Sequence, residues 1–290
     1  VSFDKRRIDV TITLGEGQFG EQVGDTVTLR GHRVEFECGY VGGAVQGQAQ
    51  INIYGLPLEM INRLTTIGPV ANEVMGQNKV RVDAGNEGEA LSMVFSGSIW
   101  RAYGQFEQAP DVPLVITAYS AMVAALKPVG ASSYQGSVSV SDIMADFAKE
   151  MGFSFEDNGV DARLSNPYFS GSTLTKVKEC AEAARINYST DNDVLAIWPR
   201  GGHRKGNMPV VSPDNGMIGY PIFGGSYLGV KCLFRSDLIQ GGLFAIQGSE
   251  IEKANGQWSI RRASHSLTSQ ITNGDWFTNV VASLNLNGSA

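Results

Sequence analysis

Polar and apolar residues alternate one for one over long stretches of this chain, and a period of two admits only extended backbone. Ile8, Val10, Ile12 and Leu14 fall on one side of such a segment, with Asp9, Thr11 and Thr13 on the other. Val27 and Leu29 share one parity, while Val34, Phe36 and Cys38 share the opposite one. The switch across Gly31-His32 predicts a tight turn or a bulge there. Val45, Gly47, Ala49, Ile51 and Ile53 alternate with Gln46, Gln48, Gln50 and Asn52. Val80 and Val82 follow, then Leu91, Met93, Phe95, Gly97 and Ile99 against Ser92, Ser96 and Ser98, then Leu114, Ile116 and Ala118. Strands with one buried and one wet face pair mostly antiparallel.

The alternation is interrupted by helical spacing. After Gly55, LPLEMINRLTTI places Leu56, Ile61 (or Met60) and Leu64 on one face, with Pro57 in the first turn and Gly68-Pro69 as the stop. Ser141 is the expected N-cap of DIMADFAKEM, whose stripe is Ile143, Met144, Phe147 and Met151 and whose C-cap is Gly152. A second helix follows Ser172 or Thr173, with Leu174, Val177, Ala181 and Ala184 inward. Short strands come next, at 187–190 and 194–198, joined by Asp191-Asn192-Asp193. Residues 201–208, GGHRKGNM, make a polar break. β-Patterning then returns in Leu243 to Glu252 and Trp258 to Leu267, with Asn255-Gly256 as a hairpin turn. Asn273-Gly274-Asp275 leads into Trp276, Thr278, Val280, Ala282, Leu284 and Leu286 on one face. The expected fold is mainly β with an α+β insert: a β domain over 1–128, a small α+β domain over 129–202, and a second β domain over 203–290.

Composition narrows the function. Apolar residues make up 42% of the chain, enough to bury real cores. A net charge of −6 argues against nucleic acid held on a broad basic face, although not against a channel that nucleic acid passes through. Cys38, Cys180 and Cys232 are odd in number, far apart and without a CxxC, as expected of buried free thiols in a reducing compartment. The apolar stretch Leu114 to Leu126 is too short to span a bilayer, and VSFDKRRIDV has no apolar core after its charges. The chain is expected to be soluble and made in the cytoplasm.

Chemical motifs give little. LGEGQFGEQV carries GxGxxG at Gly15, Gly17 and Gly20, and resembles the phosphate loop of protein kinases. No lysine lies between Lys5 and Lys79 and no HRD follows, so a loop between two strands is the favoured reading. His32, His203 and His265 have no metal-ligand spacing. GGSYLG at 224–229 is not a nucleophile elbow. Glu156-Asp157 and Asp191/Asp193 read as solvated turn residues, and Arg200, His203, Arg204 and Lys205 as a solvated linker rather than a contact to an acidic neighbour. Trp100, Trp198, Trp258 and Trp276 sit in strands, as core or interface residues. No catalytic, cofactor-binding or metal-ligating set is expected.

Architecture therefore carries the function. Two β domains around a small α+β insert resemble the baseplate hub proteins of contractile phage tails, which are related to type VI secretion spike-hub and tail late-control proteins. QINIYGLPLEMINRLTTIG resembles that family's strand, "GL" and short helix. NKVRVDAGNEGEALSMVFSGSIWRA resembles its strand, "AG" and "F-x-G-x-I" pattern at Ala84-Gly85 and Phe95, Gly97 and Ile99, with Asn86 where the family often has an aromatic residue. Residues 137–200 resemble the insert. The resemblance implies two tail-tube-like antiparallel β-barrel domains flanking the insert, in a homotrimer whose six β domains form a pseudo-hexameric ring in the virion tail baseplate. That ring would join the tail tube protein to the central spike protein, touch other baseplate proteins, and leave a lumen for DNA. It implies no enzyme activity, no cofactor, no specific nucleic-acid binding and no membrane insertion. The alternatives are a tail-associated cell-wall glycan hydrolase, with Glu156 and Asp191 to test, and a β-rich carbohydrate-binding module using the tryptophans.

Overall fold

Where the sequence alternates, the backbone is extended. The computed structural model describes residues 5–15, 25–43, 45–65 and 78–284. The chain is mainly β and divides into two compact units. One comprises Val1–Gly39, Gln48–Val123 and His265–Trp276; the other Tyr40–Gly47, Ala124–Ser264 and Phe277–Ala290. Gly17, Gly20, Gly68, Pro69 and Leu286 lie outside the described residues.

The first unit contains β1 (Arg6–Thr13), β2 (Thr26–Leu29), β3 (Val34–Tyr40), β4 (Gln48–Tyr54), α1 (Leu58–Leu64), β5 (Lys79–Asn86), β6 (Ser92–Gly104) and β7 (Pro113–Tyr119), followed by a short helix, α2 (Met122–Leu126). Its ladders are antiparallel and run β3-β4-β7-β6-β5-β1-β2. Ile8, Val10, Ile12, Phe36, Ile51, Ile53, Val82, Phe95, Leu114 and Ile116 fill its interior, as the alternation requires. Asp9 is also buried, against expectation, because Arg7 grips its carboxylate at 2.6 and 2.8 Å and Arg30 reaches it at 3.3 Å. Gly31 makes the expected turn with φ +72°. It is not a hairpin turn, since β2 pairs with β1 and β3 pairs with β4.

The parity of β6 is broken twice. Val82 faces Phe95 but Asp83 faces Met93, so Val94 is an extra residue; Val94 turns inward and Met93 is exposed. Ile99 faces Ala118 but Arg101 faces Thr117, which makes Trp100 the second extra residue and leaves it exposed. The first half of β6 pairs with β5 and the second half with β7, so the ladder is strongly staggered. Gly97 permits this: a Cβ there would sit 2.6 Å from the Tyr119 carbonyl oxygen and 2.8 Å from Phe95 Cζ. β4 starts at Gln48 rather than Val45, because Gly42 and Gly43 take positive φ and turn the preceding chain; Val45 is exposed. α1 buries Ile61 and Leu64, and ends where Thr65 N–H and Oγ1 both bond the Ile61 carbonyl.

The second unit opens with β8 (Pro128–Ser133), β9 (Ser137–Ser139), α3 (Val140–Met151), β10 (Ser154–Asp157), β11 (Arg163–Ser165), β12 (Tyr168–Ser172), α4 (Thr173–Ala184), β13 (Ile186–Ser189) and β14 (Val194–Pro199). β10 pairs parallel with β14, and β13 antiparallel with it. Ile143, Met144, Phe147, Val177 and Ala181 pack into one core as the two helical stripes predict, joined by Cys180, Leu195 and Ile197, while Leu174 and Ala184 are only partly buried. The α3 N-cap is Ser139, not Ser141; the Ser141 hydroxyl donates to Asp157 Oδ2 at 2.7 Å. Gly152 is the left-handed C-cap, and Ser172 Oγ accepts from Thr175 N–H. Lys176, on the inner face of α4, is fully buried: its ammonium donates to Gly130 O at 2.6 Å and Ser132 Oγ at 3.0 Å, and pairs with Glu150 at 3.3 Å.

The same unit continues with β15 (Val210–Val211), β16 (Ile222–Gly224), β17 (Tyr227–Leu233), β18 (Leu243–Ile246), β19 (Gly256–Thr268) and β20 (Trp276–Leu284). Leu228, Val230, Cys232, Phe244, Trp258, Ile260 and Val280 form a second core, separate from that of the α+β part. β18 stops at Ile246, six residues short of the expected Glu252. Ile246 already faces Gly256, so residues 247–255 form a long loop rather than a two-residue turn. The Asn255 side chain holds it, accepting from Ser249 N–H and donating to Ser249 O, both at 2.9 Å. Leu284 is exposed, against its expected parity.

Candidate assembly surface

The residues tested for chemistry are committed to structure. Glu156 and Asp157 are not turn residues but the end of β10. Arg204 folds back onto Glu156, with Nη2 at 2.6 Å and Nε at 3.0 Å, and Asn158 Nδ2 adds a third bond at 2.9 Å. Asn158 Oδ1 accepts from Lys205 N–H at 2.6 Å. Burial alone would raise the Glu156 pKa, but Arg204 and Asn158 outweigh it and hold the carboxyl below its usual range. Asp157 is lowered too: the bonds from Ser141 and the Val160 and Gly159 amides outweigh its burial. The 201–208 break is thus anchored, not a solvated linker; the Arg204 side chain is only 11% exposed. The sequence signal was slight, since Arg204 is one of a group with Arg200, His203 and Lys205 and its partner lies 48 residues upstream.

Asp191 accepts from Ser189 Oγ at 2.6 Å, within the β13–β14 hairpin whose Asn192 and Asp193 take positive φ. His32 Nδ1 lies 3.1 Å from Tyr54 O, and His203 Nδ1 lies 3.0 Å from Arg204 O. His265 is buried in β19, and burial pulls its pKa down to about 4. Among the described residues, no cluster of His, Cys, Asp or Glu could hold a metal ion, and no helix is long and apolar enough to cross a membrane. The three cysteines are buried; burial pushes Cys180 up to about 12 and Cys232 up to about 11. Trp198, Trp258 and Trp276 are buried, which leaves Trp100 as the exposed indole among the four.

Exposed apolar surface gathers on the outward side of β16, β17 and β20. β16 pairs with β17 through a turn at Gly225-Ser226, and is the terminal strand of its ladder series. Phe223 lies on the Trp258 side, its ring 6.2 Å from that of Trp258 and opposite buried Leu228, yet it is half-exposed. Ile222 points outward and is 73% exposed. Tyr227 (51%), Leu233 and Val281 share that outer side, between Gly224 and Gly229, which leave the surface flat. Lys231 lies along it with Nζ 4.0 Å from the Phe277 ring centroid. Tyr220 caps the end, its hydroxyl donating to Glu250 Oε2 at 3.0 Å. No charged residue occurs from Asn215 to Val230, the one sequence signal for this surface.

The fold is that of phage-tail and type VI secretion proteins. A prophage MuSo2 43 kDa tail protein from Shewanella oneidensis superposes with a TM-score of 0.59 at 10% identity, covering 97% of both chains. A tail protein from Neisseria meningitidis does so with a TM-score of 0.59 at 8% identity, covering 96% of each. An Escherichia coli type VI secretion system component, described as structurally similar to the T4 tail proteins gp27 and gp5, gives 0.56 at 12% identity over 86% of this chain and 73% of that one. No curated protein matches by sequence. The sequence matches the Baseplate hub gp41 family over residues 7–279, and the chain belongs to that family, a family of structural components of the phage tail baseplate.

Proposed function

We propose that the chain is a non-enzymatic hub: a homotrimer forming a pseudo-hexameric ring that joins the tail tube to the central spike and leaves a channel for DNA. In this reading residues 1–128 and 203–290 are tube-like barrel domains and 129–202 is the inserted α+β domain. Membership of the baseplate hub family is the observation that carries it.

Geometry supports the barrel reading for the first unit. β2 and β3 end opposite sides of a seven-strand series, so a flat sheet would hold them about 29 Å apart. Only residues 30–33 join Leu29 to Val34, and five peptide links reach at most about 18 Å. The sheet must curl to meet that link, and the stagger and two bulges of β6 are the devices that curl sheets. The separate cores of the α+β part and the last β part support the three-part division. The net charge of −6 suits a lumen that DNA crosses without sticking.

Native mass measurement and particle imaging test the proposal. Three copies around a central hole are expected; a chain that stays monomeric with tube and spike proteins present refutes it.

A further inference from the structure

We infer that the outward face of β16–β17, centred on Ile222 and Tyr227, docks on a second copy of this chain. The inference rests on the ring reading and names the surface that closes the ring.

An extended strand at the end of a ladder presents unpaired backbone N–H and C=O groups, and monomeric proteins guard such edges with charge, proline or a covering element. β16 is a terminal strand of three residues after Pro221, which keeps its backbone edge short, so the exposed side chains rather than the edge carry the inference. Phe223 packs against Trp258 but stays 46% exposed, and Ile222 on the other side is 73% exposed. Tyr227, Val281 and Leu233 extend that exposure across β17 and β20 on the same face, with glycines between them that let another surface approach closely. Exposed aromatic and aliphatic residues, bordered by Lys231 and by Arg261, which donates to Ser283 Oγ opposite Tyr227, match the centre and rim of a protein interface.

Charge selects the partner. Each copy carries −6, and the cations Lys231 and Arg261 on this side of the strands attract an acidic copy. A basic partner would meet those two cations, with Glu250 at the Tyr220 end as the carboxylate that touches this face. A closed threefold ring needs head-to-tail contacts, so this face meets a different surface of the next copy rather than itself.

The full chain is compared with Ile222→Lys and with Leu58→Lys, which alters an exposed leucine in α1. Ile222 is largely exposed, so its replacement leaves the fold intact, verified by an unchanged melting curve. Self-association is expected to weaken at least tenfold in Ile222→Lys and to stay unchanged in Leu58→Lys. In parallel, Ile222→Cys is labelled with a benzophenone maleimide; the native thiols are buried, so the new one takes the label. Photolysis is expected to join two copies, at a peptide other than 215–230. Normal association of Ile222→Lys, or crosslinks only to other tail proteins, overturns this inference and leaves the hub reading standing. A wild-type chain that never self-associates overturns both.

Discussion

Removing the Arg204 guanidinium should loosen the 201–208 segment from the α+β core. Arg204→Met keeps the aliphatic stem and deletes both bonds to Glu156, at 2.6 and 3.0 Å. A fully buried pair broken on one side costs about 3–5 kcal/mol, and an exposed pair about 0–1. Arg204 is 11% exposed but Glu156 is 34% exposed, so water can replace part of what the carboxylate loses; about 2 kcal/mol is expected. Glu156→Gln should cost about as much or more, because it strands the better-buried cation. The double variant should lose little beyond either single one, which gives a coupling of about 2 kcal/mol. Urea titrations of all four proteins measure it, and each single variant should melt about 4–8 °C lower. Burial raises the Glu156 pKa but Arg204 and Asn158 lower it further, so the net folded value lies below the unfolded one. The coupling is therefore full above the unfolded value near 4.5 and fades as pH falls through the lowered folded value. A coupling below about 0.5 kcal/mol at pH 7 would refute the anchored segment and restore the solvated linker.

Three further outcomes are expected. Gly97→Ala should destabilise by roughly 2 kcal/mol, since its methyl meets the fixed Tyr119 carbonyl; a neutral effect in a denaturant titration would mean that β6 and β7 can part freely. His265, held neutral by burial with a pKa of about 4, stabilises fully above its ordinary value of 6.5 and progressively less below it. Stability should fall by about 2 kcal/mol from pH 7 to 5, and His265→Gln should flatten that slope; an equal slope would refute the assignment. Tyr188 has a buried hydroxyl with no hydrogen-bond partner among the described residues and a pKa pushed up to about 12 by burial, then by Glu182. Tyr188→Phe should hold or raise stability by up to about 1 kcal/mol, and a loss above 1 kcal/mol would show that the hydroxyl is used.

The strands of the first unit were legible because their parity is local: each buried side chain sits two residues from the next, and solvent alone enforces that. The two α+β helices were legible for the same reason at period 3.6, down to Gly152 as the cap. Parity failed in β6, which carries two bulges. Met93 and Trp100 are exposed because bulges opposite β5 and β7 shift the register, and the partner strand rather than the local sequence demands them. The Asn255-Gly256 signal was genuine turn chemistry in the wrong place: Asn255 clamps a nine-residue loop by its side chain. The outward surface was the least legible, since Phe223 and Ile222 read alike and differ only in which face packs on Trp258.

Sequence by itself determined what nearest neighbours and solvent decide. It set the strands and helices, the isolated buried thiols and the acidic charge, and its motif spacing offered no catalytic set. Only the tertiary structure decided what distant residues do to one another. It made Arg204 a clamp on Glu156 and put Lys176 in a core beside Glu150. It also separated β2 from β3 by the strands β1, β5, β6, β7 and β4, although only four residues join them. Those outcomes depend on contacts between residues tens to hundreds of positions apart, and no local period encodes them.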